Sequence, residues 1–336
     1  MVLITRLDPD DHETLRGCHR VFTAAHDVDD PQGPPEPYAA FAIWLTTSFA
    51  DTPGEAWAAR DEPDGEVTGF YRIDLPDKAN LDAAMVSPVV HPARRRRGAG
   101  SELLRHAAAR ATAAGRTLLR STTFAGTAGA EFAAHAGAKA GLVSIRRVLH
   151  LRNLPEGLVA DQRAKAAAAA AGYTLVSWDG GTPPEYWEGL AGVMNAFADA
   201  PADEGYERAT WTVDRIRDEF DFITRWPEVR RYSVAALHAE TGEMAGLTQV
   251  YTTIEEPVWA QQGITAVSRG HRGHRIGLLL KTGMLDWLAA AEPRIEHITT
   301  DNADSNQYMI AINELLGFEI LSPPYLSQQL PTSEVR

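Results

Sequence analysis

A short basic loop that contains glycine occurs twice in this chain, and its chemistry is that of an anion site. The first copy reads V-H-P-A-R-R-R-R-G-A-G from Val90 to Gly100, and the second reads V-S-R-G-H-R-G-H-R-I-G from Val267 to Gly277. An apolar strand pattern precedes each copy and an amphipathic helix pattern follows it. The start of such a helix offers unpaired N–H groups and positive potential, and glycine lets the backbone approach closely. The loops therefore predict two sites for a pyrophosphate.

The spacing of the loops indicates that one fold is used twice. Arg95 and Arg272 are 177 residues apart in a chain of 336 residues, which is close to half its length. A chain of this size usually has more than one hydrophobic core. We predict a first domain at 1–153, an alanine-rich linker helix at 154–171 and a second domain at 172–336. Each half has the pattern strand, two helices, three strands, helix, strand, helix, strand.

The elements around the second loop must position its backbone. Apolar periodicity predicts a strand from Trp259 to Val267, a helix from Gly273 to Ala291 and a last strand from Phe318 to Leu330. Shorter helices are predicted from Tyr38 to Phe49 and from Val213 to Thr224. The apolar face of the long helix carries Leu279, Leu280, Met284, Trp287 and Leu288.

Composition excludes several classes of protein and site. A formal net charge of −13 argues against a nucleic-acid binder, which would need a basic face. Cys18 is the only cysteine, so intramolecular disulfides and cysteine-based metal sites are excluded, and no spacing of histidine and carboxylate residues indicates a metal site. No long apolar run and no signal-peptide pattern occur, which predicts a cytoplasmic protein.

Two better-known phosphate motifs do not fit the loops. Neither loop follows the first strand of its half or matches G-x-G-x-x-G, which argues against a dinucleotide-binding turn. Neither contains G-K-[ST], which argues against a P-loop.

The residues instead resemble the acetyl-CoA pyrophosphate loop of the GCN5-related N-acetyltransferases (GNAT), V-x-P-x-x-R-x-x-G-x-G. The first loop matches at Val90, Pro92, Arg95, Gly98 and Gly100. The second matches at Val267, Arg272, Gly273, Ile276 and Gly277, with Arg269 in place of the proline and Arg275 in place of the first glycine. A second family signature follows, with Asn306, Met309, Asn313, Leu316, Gly317 and Phe318. The resemblance covers almost the whole chain as two tandem copies, similar to mycothiol-synthase-like acetyltransferases.

The resemblance implies both a fold and an activity. The fold class is α/β (α+β), with two tandem GNAT domains that are each a mixed, mostly antiparallel twisted sheet flanked by helices. The activity is transfer of an acetyl group from acetyl-CoA, without a metal, to the amine of a small molecule by direct attack in a ternary complex. An antibiotic or a secondary metabolite would be such an acceptor, and we expect a monomer or a homodimer.

The same resemblance assigns cosubstrate-binding residues. In the first half they are Val90, Arg95, Arg96, Arg97, Gly98, Ala99 and Gly100. In the second half they are Val267, Arg272, Gly273, His274, Arg275, Ile276, Gly277, Asn302, Asn306 and Met309.

The resemblance leaves the proton-transfer groups open. Family members often carry a tyrosine general acid at the positions of Ala133 and Asn313, and neither side chain titrates. Candidate bases in the second half are Glu255, its neighbour Glu256, and Asp301. In the first half the candidate is Asp82, the only carboxylate inside the fourth strand, which is predicted at about Leu81 to Val90. The second half keeps more of the polar groups and is favoured for the chemistry, with Asn313 as a catalytic candidate. Alternatives are a CoA-binding scaffold or sensor without turnover, and an N-acetyltransferase of proteins or peptides.

Overall fold

The computed structural model describes residues 2–48, 52–220 and 226–335, which group into two compact units. The first unit comprises Met1–Ser144, Ala202–Ala209 and Ser322–Arg336, and the second comprises Ile145–Pro201 and Thr210–Leu321. The predicted ends of two helices, at Phe49 and Thr224, lie outside the described residues.

The order of elements repeats in the two halves of the chain, as the sequence predicts. The first half contains β1 (Leu3–Arg6), α1 (His12–Asp29), α2 (Tyr38–Thr46), β2 (Gly54–Arg60), β3 (Val67–Asp74), β4 (Ala83–Val90), α3 (Ala99–Ala113), β5 (Leu118–Phe124), α4 (Ala128–His135) and β6 (Lys139–His150). The second half contains α5 (Leu158–Ala169), β7 (Tyr173–Asp179), α6 (Trp187–Ala196), α7 (Val213–Phe220), β8 (Val229–His238), β9 (Met244–Thr253), β10 (Trp259–Val267), α8 (Ile276–Ala291), β11 (His297–Ala303), α9 (Gln307–Leu315), β12 (Glu319–Ile320) and β13 (Tyr325–Pro331).

The first unit is a mostly antiparallel sheet between helices. Its strand order is β1-β2-β3-β4-β5-β13, followed by the N-terminal half of β6, and among its described strands only β4 and β5 run parallel. Successive side chains of a strand point to opposite faces. Accordingly, Phe70 packs with α1 and α2 while Tyr71 packs with α3. The predicted mixed fold, mostly antiparallel and flanked by helices, is confirmed.

The second unit repeats this arrangement. The C-terminal half of β6 is followed by β11, β10, β9, β8 and β7, and β12 also pairs with β6. The parallel pair is β10 and β11. Ala235 packs with α6 and α7, whereas Val234 and Ala236 pack with α8. The predicted linker helix, α5, buries Ala166 in the same core as α8, as does Ala170 directly after the helix, so α5 is part of this unit.

Each parallel strand pair separates after a short stretch of pairing. β4 and β5 are in register from Ala83↔Leu118 to Met85↔Arg120, and β10 and β11 from Trp259↔His297 to Gln261↔Thr299. Each strand continues beyond the paired residues, so a wedge opens between the two strands. The basic loop follows the end of β4 in one unit and of β10 in the other, which places a loop at the mouth of each wedge.

Two predictions about strands are wrong in detail. The last strand, predicted from Phe318 to Leu330, is divided into β12 and β13, because Pro323 and Pro324 have no N–H to donate to a ladder. Asp82 lies in the turn before β4 and not inside that strand.

Candidate active site

The two basic loops share one backbone conformation despite their different sequences. The left-handed residues are Arg96 and Gly98 in the first loop, with φ of 61° and 91°. In the second loop they are Gly273 and Arg275, with φ of 89° and 55°. The same two positions are left-handed in both loops, and arginine and glycine have exchanged places. Each arginine adopts a conformation that costs an L-residue about 1–2 kcal/mol, so both loops keep the same shape at some cost.

The helices that follow the loops begin with open N–H groups. Neither α3 at Ala99 nor α8 at Ile276 is capped by a side chain of the described residues, whereas Asp11 caps α1 and Asn306 caps α9. The left-handed loop residues add further main-chain amides to each helix start. Successive amides at an uncapped helix start form a concave anion site. Both loops therefore fit a pyrophosphate.

The residues predicted to bind the cosubstrate at these loops divide into two groups. Gly98, Ala99 and Gly100 in the first loop, and Gly273, Ile276 and Gly277 in the second, bring main-chain amides to the helix start. Arg96, Arg97, His274 and Arg275 are exposed beside it. The latter group is available to screen a bound diphosphate.

Arg95 and Arg272 have carboxylate partners within the protein. Arg95 donates to Asp29 at the end of α1, with Nη1–Oδ1 and Nη2–Oδ2 distances of 2.9 and 2.5 Å. Arg272 donates through Nη2 to Oδ2 of Asp199, which follows α6, at 2.9 Å. These two guanidinium groups brace equivalent loops against equivalent helices. Contact of their side chains with phosphate stays a prediction.

The strand ends take part in the same bracing. The carbonyl oxygens of Val90 and Val267 accept from Nε of the loop arginines at 3.2 and 3.1 Å. In the second unit Arg269 also donates to Oδ2 of Asp199, at 2.7 Å. Hydrogen bonds from Arg269 and then Arg272 hold the pKa of Asp199 well below its usual range. Asp199 is therefore ionised near neutral pH and serves the loop, not proton transfer.

A β-bulge interrupts β10 on the side of β9. The register passes from Gln262↔Val250 to Thr265↔Thr248, so Gly263 and Ile264 lie opposite a single residue, Gln249. The carbonyl of Gln249 accepts from the side-chain Nε2 of Gln262 at 2.6 Å. A bulge leaves a residue outside the regular ladder of hydrogen bonds. Here the side chain of Gln262 donates to the Gln249 carbonyl of the opposite strand in place of a main-chain amide. The bulge thus removes Gly263 and Ile264 from the regular pairing of β10 with β9.

The equivalent strand of the first unit has no such feature in its described residues. β3 and β4 pair without interruption from Gly69↔Val90 to Asp74↔Met85. Pro88 lies inside this stretch and has no N–H. The strand that borders the wedge therefore differs between the units. β10 is bulged at Gly263 and Ile264, whereas β4 is regular and contains Pro88.

A buried lysine and two asparagines form a chain of hydrogen bonds in the second unit. Nζ of Lys281 on α8 donates to Oδ1 of Asn313 on α9 at 2.7 Å, and Nδ2 of Asn313 donates to Oδ1 of Asn302 on β11 at 2.6 Å. Asn313 is fully buried and Lys281 is 2% exposed. Burial lowers the pKa of Lys281 to about 7. This series of hydrogen bonds ends at Asn302, in the part of β11 that is no longer paired with β10.

Lys281 was not among the residues predicted from the sequence. Its helix contains many apolar residues, and the long stem of a lysine is compatible with the edge of an apolar face. The sequence feature that could have indicated a buried position for Lys281 is its spacing from neighbouring buried residues. Lys281 follows Gly277 by four residues and precedes Met284 by three, so it lies on the stripe that packs inward.

The structure brings some of the predicted polar residues together and not others. Asn302 and Asn313 meet where β11 adjoins α9. Asp301, the preceding residue of β11, instead pairs with Arg146 on β6, with an Nε–Oδ1 distance of 3.3 Å. Glu255 is exposed in the turn before β10, at the opposite end of that strand from the basic loop. Its role as a base stays a prediction.

The remaining predicted residues lie at the start of α9. Oδ1 of Asn306 accepts from the main-chain N–H of Met309 at 3.4 Å, so this side chain caps the helix. Met309 is partly buried in the first turn. Both residues stand at the mouth of the second wedge, and their contact with CoA stays a prediction.

A cavity of about 840 Å³ lies beside the second loop. It is bounded by α6, the turn between β8 and β9, and the segment after β10, and its charged lining residues are Glu185, Glu188, Asp199, Glu243 and Arg269. Asp199 and Arg269 belong to the bracing of the loop, so the cavity adjoins the second basic loop.

Within residues 2–48, 52–220 and 226–335, no group of three or more histidine, cysteine or carboxylate side chains is arranged to hold a metal ion. Over the same residues, no helix is both long enough and apolar enough to cross a bilayer.

Comparison with known proteins gives matches at the level of sequence and of structure. Residues 16–137 match the family described as Acetyltransferase (GNAT) family. A mycothiol acetyltransferase of Mycobacteroides abscessus is 27% identical over 270 residues, which cover 77% of this chain and 80% of that protein.

Solved structures match nearly the whole chain. A tandem GNAT protein from the clavulanic acid biosynthesis pathway superposes with a TM-score of 0.82 and 29% identity, covering 99% of both chains. A GCN5-related N-acetyltransferase from Sphaerobacter thermophilus superposes with a TM-score of 0.65 at 15% identity, over 98% of this chain and 96% of that one, and shares the fold.

Proposed function

We propose that the second unit transfers the acetyl group of acetyl-CoA to the amine of a small molecule. Acyl transfer is supported by the match of residues 16–137 to the GNAT family of acetyltransferases and by the similarity of most of the chain to a mycothiol acetyltransferase and a tandem GNAT protein. The choice of unit, the acceptor class and the residue roles are inferred from the geometry. The observation that carries the choice of unit is the bulge at Gly263 and Ile264, which β4 does not share.

Main-chain amides bind the cosubstrate in this proposal. The amides of Gly273, Arg275 and the first turn of α8 point into the concave start of the helix, where a pyrophosphate gains hydrogen bonds and a favourable helix dipole. His274 and Arg275 add charge from the exposed side. The bracing of Arg272 by Asp199 keeps these amides converged before the ligand arrives.

The bulge amide activates the thioester. An N–H that is already aimed at the carbonyl oxygen stabilises the negative charge that develops there, and one such donor contributes about 10²–10³-fold in rate. The acceptor nitrogen then forms its bond to the acetyl carbon while the carbon–sulfur bond breaks and its electron pair stays on sulfur. The amine proton goes to a base and a proton is returned to the thiolate, so the products are an acetylated amine and CoA thiol.

Asp301 and Glu255 are the candidate bases, and we favour Asp301. Asp301 lies on β11 next to Asn302, at the separated end of the strand. Glu255 lies at the far end of β10 from the loop.

A small-molecule acceptor is favoured by the relatives' names. One relative is called a mycothiol acetyltransferase, and one structural neighbour comes from clavulanic acid biosynthesis. A protein or peptide acceptor is the alternative from the sequence. The cytoplasmic location and a monomeric or homodimeric state stay predictions.

For the first unit we infer cosubstrate binding without transfer. Its loop has the anion-binding shape, but β4 carries Pro88 and no bulge. The segment 202–209 also lies across this unit's sheet. Asp203 accepts from Leu142 N and Ser327 Oγ at 2.7 and 2.6 Å, and Gly205 O accepts from Arg120 at 3.1 Å. We infer that this segment restricts the approach of an acceptor to the first unit.

Matched charge reversals test which loop serves turnover. His274 and Arg97 occupy equivalent, exposed positions of the two loops. A carboxylate there repels a diphosphate, and we expect His274→Glu to raise the KM for acetyl-CoA about tenfold, equivalent to about 1.4 kcal/mol. Arg97→Glu should leave that KM unchanged and weaken CoA binding to the first unit only.

The measurement is thiol release from acetyl-CoA with a panel of small primary amines, together with calorimetric titration of CoA. Turnover lost in Arg97→Glu and kept in His274→Glu would assign the chemistry to the first unit. Absence of thiol release with every amine, while CoA still binds, would favour the scaffold or sensor alternative.

A further inference from the structure

Lys281 is a buried cation without a carboxylate partner. It is 2% exposed, and its neighbours are Asn313 and the ring of Phe318, whose centroid lies 4.7 Å from Nζ. Across the described residues no ion pair includes Lys281. Burying an ammonium group is unfavourable, and a methionine would fill a similar volume without that cost. The first unit has Leu104 at the equivalent position, so the fold itself does not need a lysine here.

The ammonium group fixes the direction of the hydrogen-bond chain. A lysine ammonium can only donate, so the oxygen of Asn313 must face it and the NH2 group of Asn313 must face away. That NH2 group meets the oxygen of Asn302 at 2.6 Å. The NH2 group of Asn302 is consequently turned away from α9, in the half-buried part of β11 that lines the wedge. Lys281 thus determines which end of Asn302 faces the wedge.

We propose that Lys281 is a positioning residue, whose charge acts through Asn313 to hold the Asn302 NH2 group as a hydrogen-bond donor to the departing CoA thiolate. This inference rests on the proposed function of the second unit. When the carbon–sulfur bond breaks, its electron pair stays on sulfur, and the Asn302 N–H stabilises that charge until solvent returns a proton. Lys281 keeps its own proton throughout. Neither asparagine has to titrate, so no acidic side chain is needed at position 313.

Charge at Lys281 strengthens the donor at the end of the chain. Hydrogen bonds in series polarise one another, and a charged donor is stronger than a neutral one. The groups that face Lys281 are Asn313 on α9 and Phe318 after it, which are both neutral. Burial is the sole cause of its lowered pKa, with no charged side chain of the packed elements contributing. The thiolate therefore loses stabilisation as pH rises through about 7, the pKa of Lys281.

The direct test measures the pKa of the CoA thiol while CoA is bound to the full chain, from the ultraviolet absorbance of the thiolate. To confine the reading to the second unit, Arg97→Glu is included in every protein. We expect a bound-thiol pKa below that of free CoA, and a rise of about one unit, a tenfold change in thiolate stability, in Lys281→Met. Lys165→Met, which removes an exposed lysine of α5, is the matched control and should change nothing.

Kinetics separate positioning from support of the fold. Lys281→Met should lower kcat about tenfold with the KM for acetyl-CoA unchanged, and the fall of kcat above pH 7 should disappear. Asn302→Ala, at a half-exposed position, should reproduce the change in thiol pKa if Lys281→Met does not fold. An unchanged bound-thiol pKa in the folded variant, or a change confined to KM, would overturn the inference. Failure of CoA to bind the unsubstituted protein would instead overturn the proposed function.

Discussion

Replacing Gly263 with alanine is expected to lower kcat by about a hundredfold and to leave the KM for acetyl-CoA nearly unchanged. A Cβ atom at this position would lie 2.5 Å from Cε2 of Tyr251, so either the tyrosine ring or the bulge must shift, and we expect the bulge to do so. Loss of one aimed main-chain donor costs about 10²–10³-fold in rate. The phosphate loop begins after Val267 and is not touched by the substitution, which is why binding should survive.

The control for this prediction is Gly172→Ala. Gly172 precedes β7 and has no atom of the described residues within 4 Å of a built Cβ, so alanine should be tolerated there. Steady-state kinetics with one active amine, together with thermal unfolding, separates loss of the donor from loss of the fold. A folded Gly263→Ala protein with unchanged kcat would show that the bulge amide does not act on the thioester.

The second large effect is on stability, and its direction is opposite to the effect on turnover. Lys281→Met is expected to stabilise the protein at pH 7 although it slows the reaction. The relief is up to about 1.4 kcal/mol for each unit by which the pKa is lowered, from 10.5 to about 7. Against it, Oδ1 of Asn313 would be left without its donor, which costs about 1–3 kcal/mol. We expect a net gain of about 2 kcal/mol.

The pH dependence of unfolding identifies the source of that gain. Because the folded-state pKa of Lys281 lies below its unfolded value, the unfolded chain binds more protons between pH 7 and pH 10.5. The free energy of unfolding contributed by this group therefore rises with pH across that window and is lost as pH falls toward 7. Urea unfolding of both proteins should show this rise in the unsubstituted chain and not in Lys281→Met. Equal slopes, or a less stable variant at pH 7, would contradict the assignment of a buried cation.

The architecture could be predicted from the sequence because its signals are local and repeated. Strand and helix periodicities give the order of elements in each half, and the two basic loops reveal the duplication. The assignment of segments to the two units is harder to predict from the sequence. β13 pairs with β5 and with the N-terminal half of β6 in the first unit, although it ends the second half of the chain. Pairing between distant strands leaves little trace in the pattern of either strand.

At the loops, the residue types predicted the kind of site but not the contact that each side chain makes. The arginine and glycine content predicted an anion-binding backbone, and both loops have left-handed residues and helix starts without a side-chain cap, which are compatible with that prediction. It did not indicate that Arg95 and Arg272 would each be paired with a carboxylate more than 60 residues away. Nor did it show that Arg275 takes the left-handed conformation that Gly98 has in the other copy. These facts depend on which helix ends beside the loop, and that is a property of packing.

The bulge and the lysine were missed for different reasons. Gly263 lies within a predicted strand, where a glycine often marks a bulge or a close approach of another group, so a signal was present. Lys281 lies on an apolar stripe, and charged residues on such stripes usually reach the surface. Only the position of α9 shows that the ammonium group of Lys281 instead donates to Asn313 in the interior.

The most direct test of the central claim is a crystal structure of the protein with acetyl-CoA. We predict a pyrophosphate on the amides that start α8, and a thioester carbonyl oxygen about 2.7–3.1 Å from a main-chain nitrogen of the bulge at Gly263 and Ile264. A thioester that lies in the wedge of the first unit while the second stays empty would contradict the account. So would a carbonyl oxygen in the second unit that points away from β10.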